Sequence, residues 1–292
     1  RPRPRRRLRR TGLVVDARAL HFSNVPQHLS SRFHGTIYLV PSLLARLGEV
    51  QFSRAGGCQL GRNSGGFYRP DAHIFSVLEK FGATFEQRGE SIIGRAPSLR
   101  SCDVDIMEYS ENGSYFLGPL CTGATKAAIL AALGTEQGTT RIFNPIRRPE
   151  ISGLLDVVKI LGFQVIEERG CIEIKAGTPS NDAHYRVITD LSTLITYAAC
   201  AAYHHIPLHV SDVTAEEVKV WLKSEFDVLT SMGVHQHWSG SNLYMEANEE
   251  LAPISLDVVP EGFATDHQPF FALLALRASG KSTIRDMVWP DR

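Results

Sequence analysis

One unit of secondary structure recurs along the chain and limits the folds that are open to it. Each copy predicts an apolar helix, a short strand, an amphipathic helix that ends in a glycine, and two closing strands. The glycines after the second helices are Gly82, Gly162 and Gly233, and a left-handed glycine commonly ends a helix. Because helices alternate with strands, the repeat predicts an α/β fold in which helices cover sheets.

The repeat also predicts where individual elements lie. Three copies are complete, and the front half of a fourth follows them. The first strands are predicted at 48–52, 138–143, 207–210 and 280–284, the second helices at 73–81, 151–161 and 215–232, and the closing strands at 83–87 with 92–95, 164–168 with 171–175, and 234–238 with 243–246.

The repeated units form two predicted domains, with a boundary near the polar stretch 181–185. Residues 1–12 are predicted to be a basic disordered tail, 13–183 a first domain, and 184–292 a partial second domain. The chain has no initiating Met, and its fourth unit lacks the second helix and the closing strands. An unpaired sheet edge would result, so we expect that sequence is missing at both ends.

Composition narrows the functional class. The chain is 43% hydrophobic and 21% charged, which is ordinary for a globular protein. No apolar run approaches the roughly 20 residues that span a membrane, and no signal peptide is recognisable. The five cysteines are scattered and contain no CxxC pair, which disfavours a disulfide framework or a zinc site. We therefore expect a cytoplasmic protein without a metal.

The start of the chain is strongly basic. Seven of the 31 basic residues lie in the first ten positions, which contain no acidic residue. Such a run can bind nucleic acid or an anionic surface. A disordered tail explains it equally simply, and we expect no nucleic-acid partner.

A single cysteine, Cys58, lies in the glycine-rich stretch GGCQLG. Glycines allow a tight turn, and the nearby Arg62 and Arg69 would favour the reactive thiolate. The alternative is a glycine-rich turn that merely contains a thiol. Cys200 lies in the apolar run YAACAA instead, and we expect it to be buried.

Two further segments combine chemistry with a predicted helix start. Residues 117–126 enter a helix predicted at 127–133, and a glycine-bearing turn there suits a phosphate. Lys126 in the first turn is consistent with an anion nearby; the alternative is an ordinary helix start capped by Thr122. Asp266 also precedes a helix, predicted at 269–277, and is either a cap or a general base.

Arginines precede two other predicted helices. Arg69 opens the segment RPDAH and can bind a phosphate or a carboxylate through two hydrogen bonds; the alternative is a solvated cation. Arg147 and Arg148 stand similarly before Pro149 and Glu150, which suit a first helical turn. No cluster of His, Cys, Asp and Glu has convincing spacing for a metal.

Together these motifs resemble the UDP-N-acetylglucosamine enolpyruvyl transferase (1-carboxyvinyltransferase) family. The resemblance runs from Val14 to Arg292 and includes LLARLGEVQFSRAGGCQLG, RPDAHIF with LEKFGA, TGATKAAILAAL, GTTRIFNPIRRPEI and GFATDHQ, in the family's order. It implies two domains of inverse α/β repeats with the active site in the cleft between them. It also implies transfer of the enolpyruvyl group of phosphoenolpyruvate to a sugar hydroxyl, without a metal or an organic cofactor.

The resemblance implies roles for individual residues. Cys58 matches the general acid that fosfomycin alkylates, and Asp266 matches the aspartate that deprotonates the acceptor hydroxyl. Arg69 and Arg292 match arginines in the cleft. The implied substrate-binding residues are Arg69, Pro70, Asp71, Ala72 and His73 around the uridine nucleotide, Cys121, Thr122 and Gly123 at its diphosphate, Val288 near the sugar, Arg292, and His34 where the family has an arginine.

Departures from the family pattern cluster on the acceptor side. Arg148 replaces a glutamate and Lys126 an uncharged residue, and insertions occupy 62–68 and 108–116. The family's Lys-Asn pair for phosphoenolpyruvate would lie before Arg1, and two further arginines beyond Arg292. Three hypotheses stay open: transfer to UDP-N-acetylglucosamine in peptidoglycan precursor synthesis, transfer to another nucleotide or nucleoside in secondary metabolism, and a non-catalytic truncated homologue.

Overall fold

Helices and short strands alternate along the part of the chain that the structure describes. This computed structural model describes residues 7–9, 12–14, 17–53, 56, 71–110, 119–180, 183–259 and 262–288 of the 292-residue chain. The helices are α1 (Gln27–Ser30), α2 (Leu39–Leu47), α3 (Ala72–Lys80), α4 (Pro119–Ala132), α5 (Pro149–Ile160), α6 (Leu191–Tyr203), α7 (Ala215–Trp221), α8 (Lys223–Ser231) and α9 (Gln268–Ala275), with 3₁₀ turns at His34–Tyr38 and Ile106–Tyr109.

The strands are short, three to six residues each. In chain order they are β1 (Arg7–Arg9), β2 (Gly12–Val14), β3 (Glu49–Ser53), β4 (Thr84–Arg88), β5 (Ser91–Arg95), β6 (Asp103–Asp105), β7 (Thr139–Phe143), β8 (Val165–Glu168), β9 (Cys171–Lys175), β10 (Leu208–Val210), β11 (Val234–Ser239), β12 (Asn242–Ala247), β13 (Ser255–Val258) and β14 (Thr283–Asp286).

The repeat predicted from the sequence is confirmed. In each complete copy the first strand pairs antiparallel with the last strand, which also pairs with its hairpin partner, in the orders β3-β5-β4, β7-β9-β8 and β10-β12-β11. Gly82, Gly162 and Gly233 follow the second helices with φ of 93°, 95° and 93°. Glycine adopts this left-handed conformation at little steric cost, so these positions end the helices as predicted.

Two strands that form parallel pairs were missed by the sequence prediction. β6 pairs in parallel with β7 across the crossover helix α4, and β13 pairs in parallel with β14 across α9. Both strands are only three or four residues long, so they show too little alternation of apolar and polar residues to be recognised.

One helix prediction needs correction. The single helix predicted at 215–232 is two helices, α7 and α8, because the backbone of the fully buried Leu222 leaves the α-helical region at φ −105°, ψ 16°. β1, within the predicted basic tail at 1–12, pairs antiparallel with β2, most of which lies outside that tail. Such pairing satisfies backbone groups without needing apolar side chains.

Two separate hydrophobic cores organise the molecule. The first gathers buried side chains from Val25 to Ile174 and the second from Leu194 to Val288. We call described residues 17–180 the N-terminal lobe and described residues 183–288 the C-terminal lobe. The domain boundary predicted at residues 183 and 184 stays a prediction, and it lies in the segment between the two cores.

The lengths and the apolar character of the helices show whether any of them could cross a membrane. Within the described ranges, no helix combines the length and the apolar character that crossing a membrane requires.

Candidate functional site

A cavity of about 710 Å³ lies where the two lobes meet. The N-terminal lobe contributes the start of α5 and the residues just before it. The C-terminal lobe contributes the segment that leads into α6, the α7–α8 region and the turn before α9. The lining residues are Arg147, Arg148, Pro149, Glu150, Gly153, Tyr185, Val187, Ile188, Thr189, Asp190, Leu191, Ser192, Val220, Trp221, Ser224, Glu225, Gly262, Ala264, Asp266 and His267.

Cations dominate the wall from the N-terminal lobe. Arg147 and Arg148 are held just before α5, whose first turn contains Pro149 and Glu150 as predicted. The Arg148 Nε atom and the Lys126 Nζ atom lie 3.3 and 3.4 Å from the same Glu150 oxygen, Oε1. One carboxylate thus serves two cations, and this wall suits an anionic ligand.

The opposite wall carries Asp266 on a turn that several hydrogen bonds fix. The Ala264 N–H donates to Glu225 Oε1 at 3.0 Å, and the Thr265 hydroxyl donates to Asp286 Oδ2 at 2.6 Å. His267, not Asp266, occupies the N-cap position of α9. Asp266 therefore precedes the N-cap residue, and both of its interpretations, cap and general base, stay predictions.

Three side chains from distant parts of the sequence form a hydrogen-bonded row beside Asp266. Ser192 Oγ lies 3.1 Å from His267 Nε2, and His267 Nδ1 lies 2.7 Å from Glu225 Oε1. The Glu225 and His267 side chains are only 1% and 5% exposed, whereas Ser192 is exposed. This row could not be predicted from the sequence, because Ser192, Glu225 and His267 are too far apart along the chain to form a recognisable motif.

The residues predicted near the diphosphate lie inside a helix. α4 begins at Pro119, so the interpretations of Thr122 as an N-cap and of Lys126 as a first-turn residue are wrong. Proline is favoured at the first helical position, and the Thr125 hydroxyl donates to the Cys121 carbonyl within the continuous helix. Cys121 is fully buried, and its Sγ lies 3.6 Å from the Ile106 carbonyl oxygen.

The predicted nucleotide segment meets this helix directly. Asp71 is the N-cap residue of α3, which begins at Ala72, one residue before the predicted start at 73. A Cβ atom built on Gly123 would lie 2.3 Å from His73 Nε2, so glycine permits the close contact between α3 and α4. The structure thus brings together His73 and Gly123, two residues predicted to bind the same ligand.

His34 lies on the N-terminal lobe near the same helix. Its ring meets the Tyr38 ring edge-on at 6.2 Å between centroids. The Lys126 ammonium lies 5.5 Å from the centroid of that Tyr38 ring, within the range of a cation–π interaction. Tyr38 therefore connects His34 with Lys126, and through Glu150 with the arginine wall.

The remaining predicted site residues divide into two groups. Val288 belongs to the C-terminal core, is 8% exposed, and donates its backbone N–H to Asp286 Oδ1 at 2.9 Å. Cys58, Arg69, Pro70 and Arg292 lie outside the described residues. Their roles, like those of the other predicted site residues, stay predictions.

The described cysteines are free thiols. Cys200 is exposed, so the expectation that it is buried is wrong: it lies on the solvent-facing side of α6. Burial raises the pKa of the Cys102 thiol to about 11. Among the described residues, no group of three or more His, Cys, Asp or Glu side chains could hold a metal ion.

A sequence profile decides the family. The profile described as EPSP synthase (3-phosphoshikimate 1-carboxyvinyltransferase) matches residues 25–289. The chain belongs to this family. Membership agrees with the α/β fold predicted from the repeat, and with the inverse α/β units that the family resemblance implied.

Individual relatives of this EPSP synthase family member carry a related name. The UDP-N-acetylglucosamine 1-carboxyvinyltransferase of Methylocella silvestris is 28% identical over 95% of the chain, and that of Azorhizobium caulinodans is 29% identical over 96%. The chain spans 61% of the length of each of these relatives.

Solved structures of family members agree with the fold. The enolpyruvyl transferase NikO from Streptomyces tendae matches with a TM-score of 0.85 and 28% identity, over 96% of this chain and 62% of that one. An EPSP synthase from Acinetobacter baumannii matches with a TM-score of 0.57 and 16% identity, over 86% of this chain and 55% of that one. The second likeness shows the fold alone.

Proposed function

We propose that the protein transfers the enolpyruvyl group of phosphoenolpyruvate to the 3-hydroxyl of UDP-N-acetylglucosamine and releases phosphate. Family membership and the names of the relatives from M. silvestris and A. caulinodans support this proposal. The similarity to NikO supports enolpyruvyl transfer in general, whichever acceptor is used.

The observation that carries the proposal is the cavity between the lobes. Asp266 lines one wall, and Arg147 and Arg148 line the other. Removing a proton from a hydroxyl requires a positioned base, and releasing phosphate requires stabilisation of negative charge. A cavity lined by a carboxylate from one lobe and guanidinium groups from the other offers both to one ligand.

The residue roles in this proposal follow the family resemblance. Cys58 protonates the methylene carbon of phosphoenolpyruvate, and Asp266 accepts the proton of the sugar hydroxyl. Arg69 and Arg292 bind the anionic groups of phosphoenolpyruvate or the tetrahedral adduct. The nucleotide and its sugar are bound by Pro70, Asp71, Ala72, His73, Cys121, Thr122, Gly123, Val288 and His34.

A second candidate function has support from the acceptor side of the cavity. Arg148 and Lys126 share Glu150, and His34 and Lys126 both contact Tyr38. Arg148, Lys126 and His34 all depart from the family pattern, and they form one connected group. The altered charge there favours an acceptor other than UDP-N-acetylglucosamine, such as another nucleotide or a nucleoside.

Phosphate release from phosphoenolpyruvate tests both candidates. The protein, in the full length that its gene encodes, is assayed with UDP-N-acetylglucosamine and with a panel of nucleotides and nucleosides. Release with UDP-N-acetylglucosamine supports the first candidate, and release only with another acceptor replaces it by the second. The absence of release with every acceptor contradicts both and leaves the non-catalytic homologue.

Substitution of Cys58 tests the assignment of the thiol. We expect Cys58→Ser to reduce turnover by about a hundredfold or more, the typical contribution of a general acid, and to abolish labelling by fosfomycin. Cys200→Ser is the matched control, because Cys200 is exposed on α6 and lies outside the cavity lining. Unchanged fosfomycin labelling of the Cys58→Ser variant would contradict the assignment.

A further inference from the structure

The row formed by Ser192, His267 and Glu225 runs from the cavity into the C-terminal core. Ser192 is at the second position of α6, Glu225 is in α8, and His267 precedes α9. The serine oxygen lies 3.1 Å from one imidazole nitrogen, and the other nitrogen lies 2.7 Å from the carboxylate. Three elements therefore converge on one chain of hydrogen bonds that ends at the cavity.

The buried end of the row carries a charge that needs compensation. Glu225 is 1% exposed, and its Oε1 atom accepts from both Ala264 N–H and His267 Nδ1. Its Oε2 atom has no hydrogen-bond partner within the described part of the chain. An ionised carboxylate is costly to bury unless an opposite charge pairs with it, and the imidazole of His267, 2.7 Å away, is the group placed to supply that charge.

The direction of the hydrogen bonds depends on the protonation state of His267. When both imidazole nitrogens carry protons, Nδ1–H donates to Glu225 and Nε2–H donates to the oxygen of Ser192. The Ser192 hydroxyl proton is then directed into the cavity. A hydroxyl donor with a positive charge one hydrogen bond behind it suits a phosphate oxygen, and the arginine wall favours the same ligand class.

We infer that Ser192 binds the phosphoryl group of the substrate and, supplied by His267, protonates the departing phosphate. This inference rests on the proposed enolpyruvyl transfer. It makes Ser192 a further catalytic residue, while His267 and Glu225 are positioning residues that act through it. Asp266 thus acts as the base and His267 supplies the proton to Ser192, so the two functions belong to residues that are adjacent in sequence.

The proposed elimination step releases phosphate from the tetrahedral adduct. The bond between C2 of the adduct and the phosphate oxygen breaks, and its electron pair stays on that oxygen. The oxygen takes the Ser192 proton while Ser192 takes the proton of His267 Nε2. The double bond re-forms as the methyl carbon returns a proton to Cys58. Asp266, which holds the proton of the acceptor hydroxyl, then restores the proton of His267 through solvent.

Inorganic phosphate is the probe for the first experiment, which needs no turnover. We expect Ser192→Ala to weaken phosphate binding, measured by titration calorimetry, about tenfold, the usual loss for one hydrogen bond to a charged group. Ser192→Thr, which keeps a hydroxyl, restores most of the affinity. Thr193→Ala, the exposed neighbour outside the cavity lining, is the control and binds as the wild type does.

The pH dependence separates a proton donor from a purely structural residue. We expect the difference in phosphate affinity between the wild type and Ser192→Ala to depend on pH, and we expect Glu225→Gln to alter that dependence because it removes the carboxylate that contacts His267 Nδ1. Other titratable or charged groups line the same cavity, and the Ser192 variants are compared at each pH to subtract their contribution. These groups are Arg147, Arg148, Glu150, Tyr185, Asp190 and Asp266.

The outcomes distinguish this inference from the proposed function. Phosphate affinity that is unchanged in Ser192→Ala, or equally weakened in Thr193→Ala, overturns the inference even if turnover is normal. Turnover in the wild type with an unaffected kcat in Ser192→Ala overturns the catalytic role. No turnover in the wild type contradicts the proposed function, whereas the phosphate titration still decides whether Ser192 binds phosphate. If Glu225→Gln does not fold, the Ser192 variants decide alone.

Discussion

Helices α4 and α6 occupy corresponding places in successive repeats, and both are rich in alanine. No residue from 121 to 132 of α4 is exposed, whereas α6 exposes Ser192, Thr193, Thr196, Tyr197 and Cys200. In the described structure α4 packs against α2, α3 and β7, while α6 packs chiefly against α9 and β12. The same apolar pattern therefore leads to different burial, because burial depends on which neighbours cover each face of the helix.

The largest expected effect tests whether the two cores unfold independently. Phe81 and Phe271 are both fully buried, one in each core. We expect each substitution to alanine to lower the free energy of unfolding of its own lobe by about 3–5 kcal/mol. Hydrogen exchange followed by mass spectrometry measures the loss of protection in each lobe. Equal losses of protection in both lobes after either substitution would show that the lobes unfold as one cooperative unit.

A smaller effect concerns the thiols of the two helices. Cys121 in α4 is fully buried, and Cys200 in α6 is exposed. Alkylation of Cys121 requires a local opening that costs a few kcal/mol, so we expect iodoacetamide to modify Cys200 on the order of a hundredfold faster. Peptide mapping over time measures both rates. Comparable rates would mean that α4 is not the more protected helix.

The pH dependence of alkylation gives a further test of thiol burial at a third cysteine, Cys102. Burial raises the pKa of Cys102 to about 11, so roughly one molecule in a thousand carries this thiolate at pH 8. The alkylation rate of Cys102 should continue to rise up to about pH 11, provided that the protein stays folded. A plateau near the ordinary cysteine range would contradict the burial of this thiol. Because the folded state favours the protonated thiol, its contribution to stability is present below the ordinary cysteine range and is lost as the pH rises towards 11.

The close contact between α3 and α4 predicts the next effect, a loss of stability when Gly123 is substituted. A Cβ atom on Gly123 would lie 2.3 Å from His73 Nε2, so we expect Gly123→Ala to destabilise the protein by about 1–3 kcal/mol. Gly35→Ala is the control, since nothing lies within 4 Å of a Cβ there. Urea unfolding measures both variants. If the contact with His73 causes the destabilisation, Gly123→Ala should lower the free energy of unfolding by less when His73→Ala is also present. An unchanged loss would exclude this contact as the cause.

The smallest effect compares one type of hydrogen bond in the two helices. Thr125 in α4 and Thr196 in α6 each donate a hydroxyl to the carbonyl four residues earlier, at 2.8 and 2.7 Å. Thr125 is buried and also accepts from the Ile146 N–H, so Thr125→Val should cost about 1–3 kcal/mol by leaving that donor unpaired. Thr196→Val, at an exposed site, should change stability by less than about 0.5 kcal/mol. Equal costs in urea unfolding would remove the distinction between the helices.

The repeat and the ends of its second helices could be predicted from local sequence patterns. Glycine after each second helix and alternating apolar positions in the closing strands are local properties, and the bounds derived from them agree with the structure within a few residues. The five family motifs also led to the family that the profile match shows. Asp266 was recognised in this way, and the structure places it on the cavity wall.

Which helix faces are covered, and which distant side chains meet, depends on how the elements pack in three dimensions. Cys200 looked buried in sequence, but no described neighbour covers its side of α6. Ser192, Glu225 and His267 are far apart along the chain, and their row exists because α6, α8 and the turn before α9 converge on one cavity. Local patterns specify helices and strands, whereas contacts between distant residues depend on the packing of whole elements.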